Sequence, residues 1–85
     1  MDRSGLIEAT VRKAAQDGGG LGPEDVGRVV DALFGTVEHS GSIAEAIRAG
    51  QTVALLGFGD FHAEDGAAAL RPGKALVEFL RGSTG

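Results

Sequence analysis

Cysteine is absent from the 85-residue chain, which excludes a disulfide framework and any thiolate-ligated zinc. Basic residues are in deficit: 8 Lys and Arg face 12 Asp and Glu, for a formal net charge of -4. That balance argues against a polybasic surface for nucleic acid or anionic membrane. No apolar run approaches the ~18 residues of a membrane span. The N-terminal MDRSGLIEATVRKAAQ lacks a basic segment followed by an apolar stretch, so a secretory leader is not expected and a cytoplasmic location is. Length is scarce too. A chain this short is below the size of most enzyme scaffolds and buries only about 60% of its unfolded surface or a little more. A compact helical core or oligomerisation must therefore supply the missing stability.

What is present fits a globular protein: 42% hydrophobic and 24% charged residues, outside the range of disordered chains. Asp2 is placed to cap a helix from Arg3 to about Gln16, with Leu6, Ile7, Thr10, Val11 and Ala14 on one stripe. Asp17-Gly18-Gly19-Gly20 stops it, because consecutive glycines cost too much backbone entropy. Pro23 with Glu24 and Asp25 starts a second helix, carrying Val26, Val30, Leu33 and Val37 at spacings of four, three and four. The pattern fits a helix to about His39, a break, and a short helix from Ile43 to Ala49, or else one kinked helix. Ser42 and Glu45 at capping-box spacing favour the break, and Gly50 closes the segment.

The period then changes. Thr52 to Leu56 reads as a strand, Gly57-Phe58-Gly59 as a tight turn and Asp60 to Ala63 as a half-buried strand. Asp65-Gly66 is a hairpin signal, and Ala67 to Leu70 returns as a third strand ended by Pro72. Gly73 to Arg81 forms a last short helix, and 82–85 a frayed tail. The expectation is a single α+β domain over 1–85: two N-terminal helices, a three-stranded antiparallel sheet and a short C-terminal helix.

Catalytic and cofactor signals fail on spacing. Gly18 to Gly22 follows no strand, and neither Lys-Ser nor Lys-Thr comes after it; Gly66 and Gly73 are too far apart for a P-loop, and Ala75 holds the magnesium-contacting position. His39 and His62 have no partner ligand at metal spacing. Glu64 and Asp65 read as solvated turn residues rather than an acid–base pair. No enzyme activity, cofactor or metal is expected. The four phenylalanines carry more information, with Phe79 on the last helix. Phe34, Phe58 and Phe61, with Leu70, lie where a small sheet leaves a face open, and a second chain covering them is the natural solution.

Leu55-Leu56-Gly57-Phe58-Gly59-Asp60-Phe61, followed by Arg71-Pro72-Gly73-Lys74-Ala75-Leu76, resembles the HU/integration host factor family of bacterial histone-like DNA-binding proteins. The Leu6-Ile7 helix with Lys13-Ala14, and Val30 to Phe34, fit in order and position. The resemblance spans nearly the whole chain. It implies an intertwined dimer with a helical base and a β-sheet saddle. In the family, strands two and three extend into an arm that enters the DNA minor groove, where an apolar tip kinks the duplex.

The departure lies there. Only Glu64-Asp65-Gly66 separates Ala63 from Ala67, a span of ~10 Å at most, and no Lys or Arg occurs between Phe61 and Leu70. Insertions at Asp17 to Gly20 and around Glu38 to Ser42 leave the fold intact. The resemblance makes Arg3, Arg71, Lys74 and Arg81 the DNA-contact candidates. It implies weak, non-bending double-stranded DNA binding by a homodimer. The competing expectation is an interaction module that pairs with an arm-bearing HU paralogue or other partners and leaves DNA alone.

Overall fold

A computed structural model describes residues 1–82. The chain divides into two units, Met1–Ser42 and Ile43–Gly85.

In the first unit, α1 spans Arg3–Ala15 and α2 Pro23–Phe34. Asp2 caps α1 as its position predicts, its carboxylate accepting from the Gly5 N–H at 2.9 Å. Ile7 is buried and Val11 and Ala14 half-buried, so these three form the inner edge of the apolar stripe. Pro23 opens α2 with Glu24 and Asp25 in its first turn, where the positive end of the helix dipole favours them. Val26 and Gly27 are its buried residues.

Helix α2 ends at Phe34, not near His39. Gly35 takes a φ of 83°, open to glycine at little cost, and its N–H donates to the Asp31 carbonyl at 2.8 Å. Beyond it the chain folds into a tight loop. The Thr36 N–H donates to the His39 carbonyl at 2.7 Å, and the Thr36 hydroxyl accepts from the His39 N–H at 3.1 Å. Val37, whose spacing continued the helical stripe, is fully exposed in this loop. Local hydrogen bonding by Gly35 and Thr36 overrides a periodicity of one further residue.

The second unit contains most of α3, Ser42–Arg48. Gly50 closes it with a φ of 85°, its N–H donating to the Ile47 carbonyl while the Gln51 N–H donates to the Ala46 carbonyl, a Schellman arrangement. Strands β1 (Val53–Leu55), β2 (Gly59–Glu64) and β3 (Ala67–Pro72) form an antiparallel meander in that order. The first strand is shorter than the apolar run Thr52 to Leu56 implied, since Leu56 belongs to the turn; the third runs past Leu70 because Arg71 and Pro72 pair with Asp60 and Gly59. Pro72 is tolerated at the end of an edge strand, where no ladder donor is needed. Cross-strand register sorts the side chains. Val53, Phe61 and Leu70 share one face, with Ala63 and Ala68; Asp60, His62, Glu64 and Arg71 share the other.

Helix α4, Lys74–Arg81, docks onto the β1–β2 turn through main chain. The Gly73 N–H donates to the Phe58 carbonyl at 2.7 Å and the Leu76 N–H to the Gly57 carbonyl at 3.0 Å. Gly82, expected in the frayed tail, instead caps α4 in the left-handed conformation; the rest of that tail, 83–85, lies outside the described residues.

The loop after α2 yields a stability test. A Cβ on Gly41 would lie 2.5 Å from both the Gly35 nitrogen and the Leu33 carbonyl oxygen, which are backbone atoms that cannot swing aside. Gly41→Ala is therefore expected to destabilise the fold by roughly 1–3 kcal/mol, as overpacking does. Gly19→Ala, at a site with nothing within 4 Å, is the control. Urea denaturation of both variants checks the difference.

Candidate nucleic-acid interface

The four cationic candidates fall into three settings. Arg3, in the first turn of α1, reaches across to α2 and grips Asp31 with two hydrogen bonds, Nε to Oδ1 and Nη2 to Oδ2, each 2.8 Å. This is the fork geometry in which a guanidinium matches a carboxylate. The hydrogen bond, ahead of the charge, raises the Arg3 pKa, and it holds the Asp31 carboxyl below its ordinary value. Gly27 lies beside this reach. A Cβ there would stand 3.3 Å from Arg3 Nη2 and 3.6 Å from Ile7 Cδ1.

Arg71 and Lys74 form the second setting. Arg71 lies near the end of β3 opposite Asp60 on β2, and Lys74 begins α4 just beyond Pro72-Gly73. Arg71 and Asp60 both line a hollow of about 210 Å³ beside Gly57 and Gly73. Both cations are exposed, and neither makes an ion pair among the described residues. Two N–H groups at the start of α4, those of Gly73 and Leu76, are already taken by the Phe58 and Gly57 carbonyls. An anion at this end would thus meet chiefly the Lys74 and Ala75 N–H groups and the two side chains.

Arg81 stands apart at the far end of α4, ~11 Å along the helix axis from Lys74. The fold thus puts Arg71 at the end of β3 and Lys74 at the start of α4, leaves Arg81 at the opposite helix terminus, and commits Arg3 to a carboxylate. Sequence reasoning missed Asp31. Its one signal is Gly27, a glycine inside a helix one turn earlier, which marks a close approach by a neighbouring element.

On the polar sheet face, His62 Nε2 lies 3.4 Å from Glu64 Oε2, while His62 Nδ1 is buried with no hydrogen-bond partner. The hairpin closing β2 to β3 is the two-residue turn Asp65-Gly66, with φ of 53° and 80°, the signature of a type I′ turn. Phe34 (56% exposed), Phe58 (47%) and Leu70 (41%) remain open to solvent in the single chain, with Phe61 half-buried. Among the described residues no group of acidic, His or Cys side chains is arranged to hold a metal ion, and no helix is long and apolar enough to cross a membrane.

A helical pair, a three-stranded β-meander and a terminal helix that follows Pro-Gly define a small α+β fold. No family model matches the chain. Among curated proteins, DNA-binding protein HU of Geobacillus stearothermophilus is 31% identical over 101 residues, covering 95% of this chain and 100% of its own length. The same protein of Bacillus caldolyticus matches equally. Among solved structures, HU from Thermotoga maritima superposes with a TM-score of 0.74 at 29% identity over 94% of this chain and 98% of that one. A point-substituted form of the same HU gives 0.76 at 27%. The chain belongs to the HU family.

The Arg3–Asp31 fork has a pH signature. Because the folded-state pKa of Asp31 is depressed, its contribution to stability is present above the unfolded carboxyl value of about 3.9 and is lost as the pH falls through the lower folded value. Asp31→Asn is expected to flatten this acid limb. Thermal unfolding of both proteins from neutral pH into the acid range checks it, and parallel curves would contradict it.

Proposed function

We propose that the chain is a nucleoid-associated, non-enzymatic DNA-binding protein of HU type without a minor-groove arm, one HU-like domain per chain, acting as a cytoplasmic homodimer. It contacts double-stranded DNA weakly and without sequence preference, and does not bend it. The observation that carries this reading is the β2–β3 hairpin. Its ladder ends at Glu64 and Ala67 and is closed by Asp65-Gly66. Two carboxylates stand at the tip. Bending a duplex costs on the order of 1–6 kcal/mol, and a hairpin this short and acidic has no wedge or cation to supply it.

DNA contact then falls to Arg71, Lys74 and Arg81, with Arg3 contributing only where a phosphate displaces Asp31. A dimer engaging roughly five phosphates gives a log–log salt slope near -4 to -5. The expected result of an anisotropy salt titration with a FRET-labelled duplex is weak binding with that slope and no change in end-to-end distance. Lys74→Glu, which removes one phosphate contact per chain, weakens binding and makes the slope shallower by about 2 per dimer. Tight binding at physiological salt, or a large bend, would overturn the reading.

The dimer rests on the apolar residues left open. Ile7 and Val26 are the buried hydrophobic residues of the described chain, whereas Phe34, Phe58 and Leu70 are exposed; with Phe61 they are the side chains a second copy would cover. Phe58→Ala is expected to cost the dimer ~3–5 kcal/mol, and the unfolding midpoint to rise with protein concentration. Sedimentation showing a folded monomer at micromolar concentration would refute this.

A second reading has its own support in the net charge of -4 and the Glu64-Asp65 tip. An armless chain of this kind pairs with an arm-bearing HU-like paralogue as an interaction module and does not itself hold DNA. A null result in the DNA titration, with heterodimer formed on mixing, selects it.

A further inference from the structure

A groove of about 580 Å³ runs between α1 and α2 in the first unit. Its apolar part is made by Ile7, Pro23 and Gly27, and the absence of a side chain at Gly27 deepens it. Two arginines line it, yet both are engaged: Arg3 in the fork with Asp31, and Arg28 in an ion pair with Asp25 one helical turn away. The remaining charges are Glu8 on the α1 wall and Glu24 on the α2 wall. Both are exposed, and neither has an ion-pair or hydrogen-bond partner among the described residues.

We infer that this groove docks a basic segment of a partner protein, one Lys or Arg side chain lying stem-down on Ile7 and Pro23 with its cationic head between Glu8 and Glu24. The choice of occupant follows from charge. With Arg3 and Arg28 paired, a phosphate entering the groove would meet two uncompensated carboxylates, a repulsion that works against nucleic acid there. A long cationic side chain satisfies both parts of the groove, since its methylene stem suits an apolar floor while its head stays at the wet rim. An acidic or purely apolar segment satisfies only one part or neither. This inference goes beyond the DNA-binding reading, which places phosphate contacts chiefly on the second unit.

The test is a titration of the full-length, isotope-labelled chain with octalysine, followed by amide chemical shifts. The expected result is saturable movement centred on Ile7, Glu8, Glu24 and Gly27. Glu8→Gln with Glu24→Gln should weaken binding roughly 5-fold, the range of two solvated charge contacts. The charge-matched control Asp17→Asn with Glu38→Gln, in the same unit but outside the groove, should change it by less than ~2-fold. Equal losses in the two double variants would reduce the effect to general attraction for a -4 protein and overturn the proposal. So would shifts scattered over all acidic residues, the absence of saturable shifts, or stronger movement of the same amides by a short DNA duplex. These outcomes are separate from the fate of the DNA-binding reading, which is decided at Arg71 and Lys74.

Discussion

Main chain docked against main chain organises the second unit. At Gly57 and Gly73 two stretches of backbone meet so closely that a Cβ on Gly73 would lie 2.4 Å from the Gly57 carbonyl oxygen. Two hydrogen bonds across that contact set where α4 begins, and therefore where Lys74 stands relative to Arg71. An amide hydrogen bond contributes only about 1 kcal/mol net, but here it replaces the apolar packing that so short a strand as Val53–Leu55 cannot supply. The first unit solves the same shortage differently, through Ile7, Val26 and the bidentate link from Arg3 to Asp31.

Elements with strong local chemistry were legible in the sequence. Asp2, Pro23 and Gly50 mark helix ends by mechanisms that act within one turn, and the structure uses each of them. Asp65-Gly66 specified a two-residue hairpin because few residue pairs accept two positive φ angles in succession. The end of α2 was not legible. Val37 continues the apolar spacing, and nothing local in the pattern outweighs it until Gly35 and Thr36 are seen bonding to Asp31 and His39. Helix ends set by such competition are visible only after the chain has folded.

The candidate site divides in the same way. The Arg71-Pro72-Gly73-Lys74 run carries its own geometry, since Pro72 ends the strand and Gly73 caps the helix, so the element on which each cation stands could be read directly. The state of Arg3 could not. Asp31 is 28 residues away, and pairing at that distance depends on how α1 packs against α2. A cation counted as available in the sequence is therefore held by a carboxylate in the fold. The charge a ligand meets on the first unit differs from what a tally of arginines implies.

The closed hairpin also constrains how this chain can change. In each of the six β2–β3 pairs the two residues sit on a common face, and the turn holds two residues. Adding one residue to each strand beside the turn lengthens the ladder and leaves Phe61 with Leu70 and Asp60 with Arg71. A single residue inserted within a strand must bulge out or invert the pairs beyond it, whereas one inserted at the tip enlarges the turn. The paired ladder thus grows two residues at a time, and a longer projection is reachable from this short one without repacking the sheet below it.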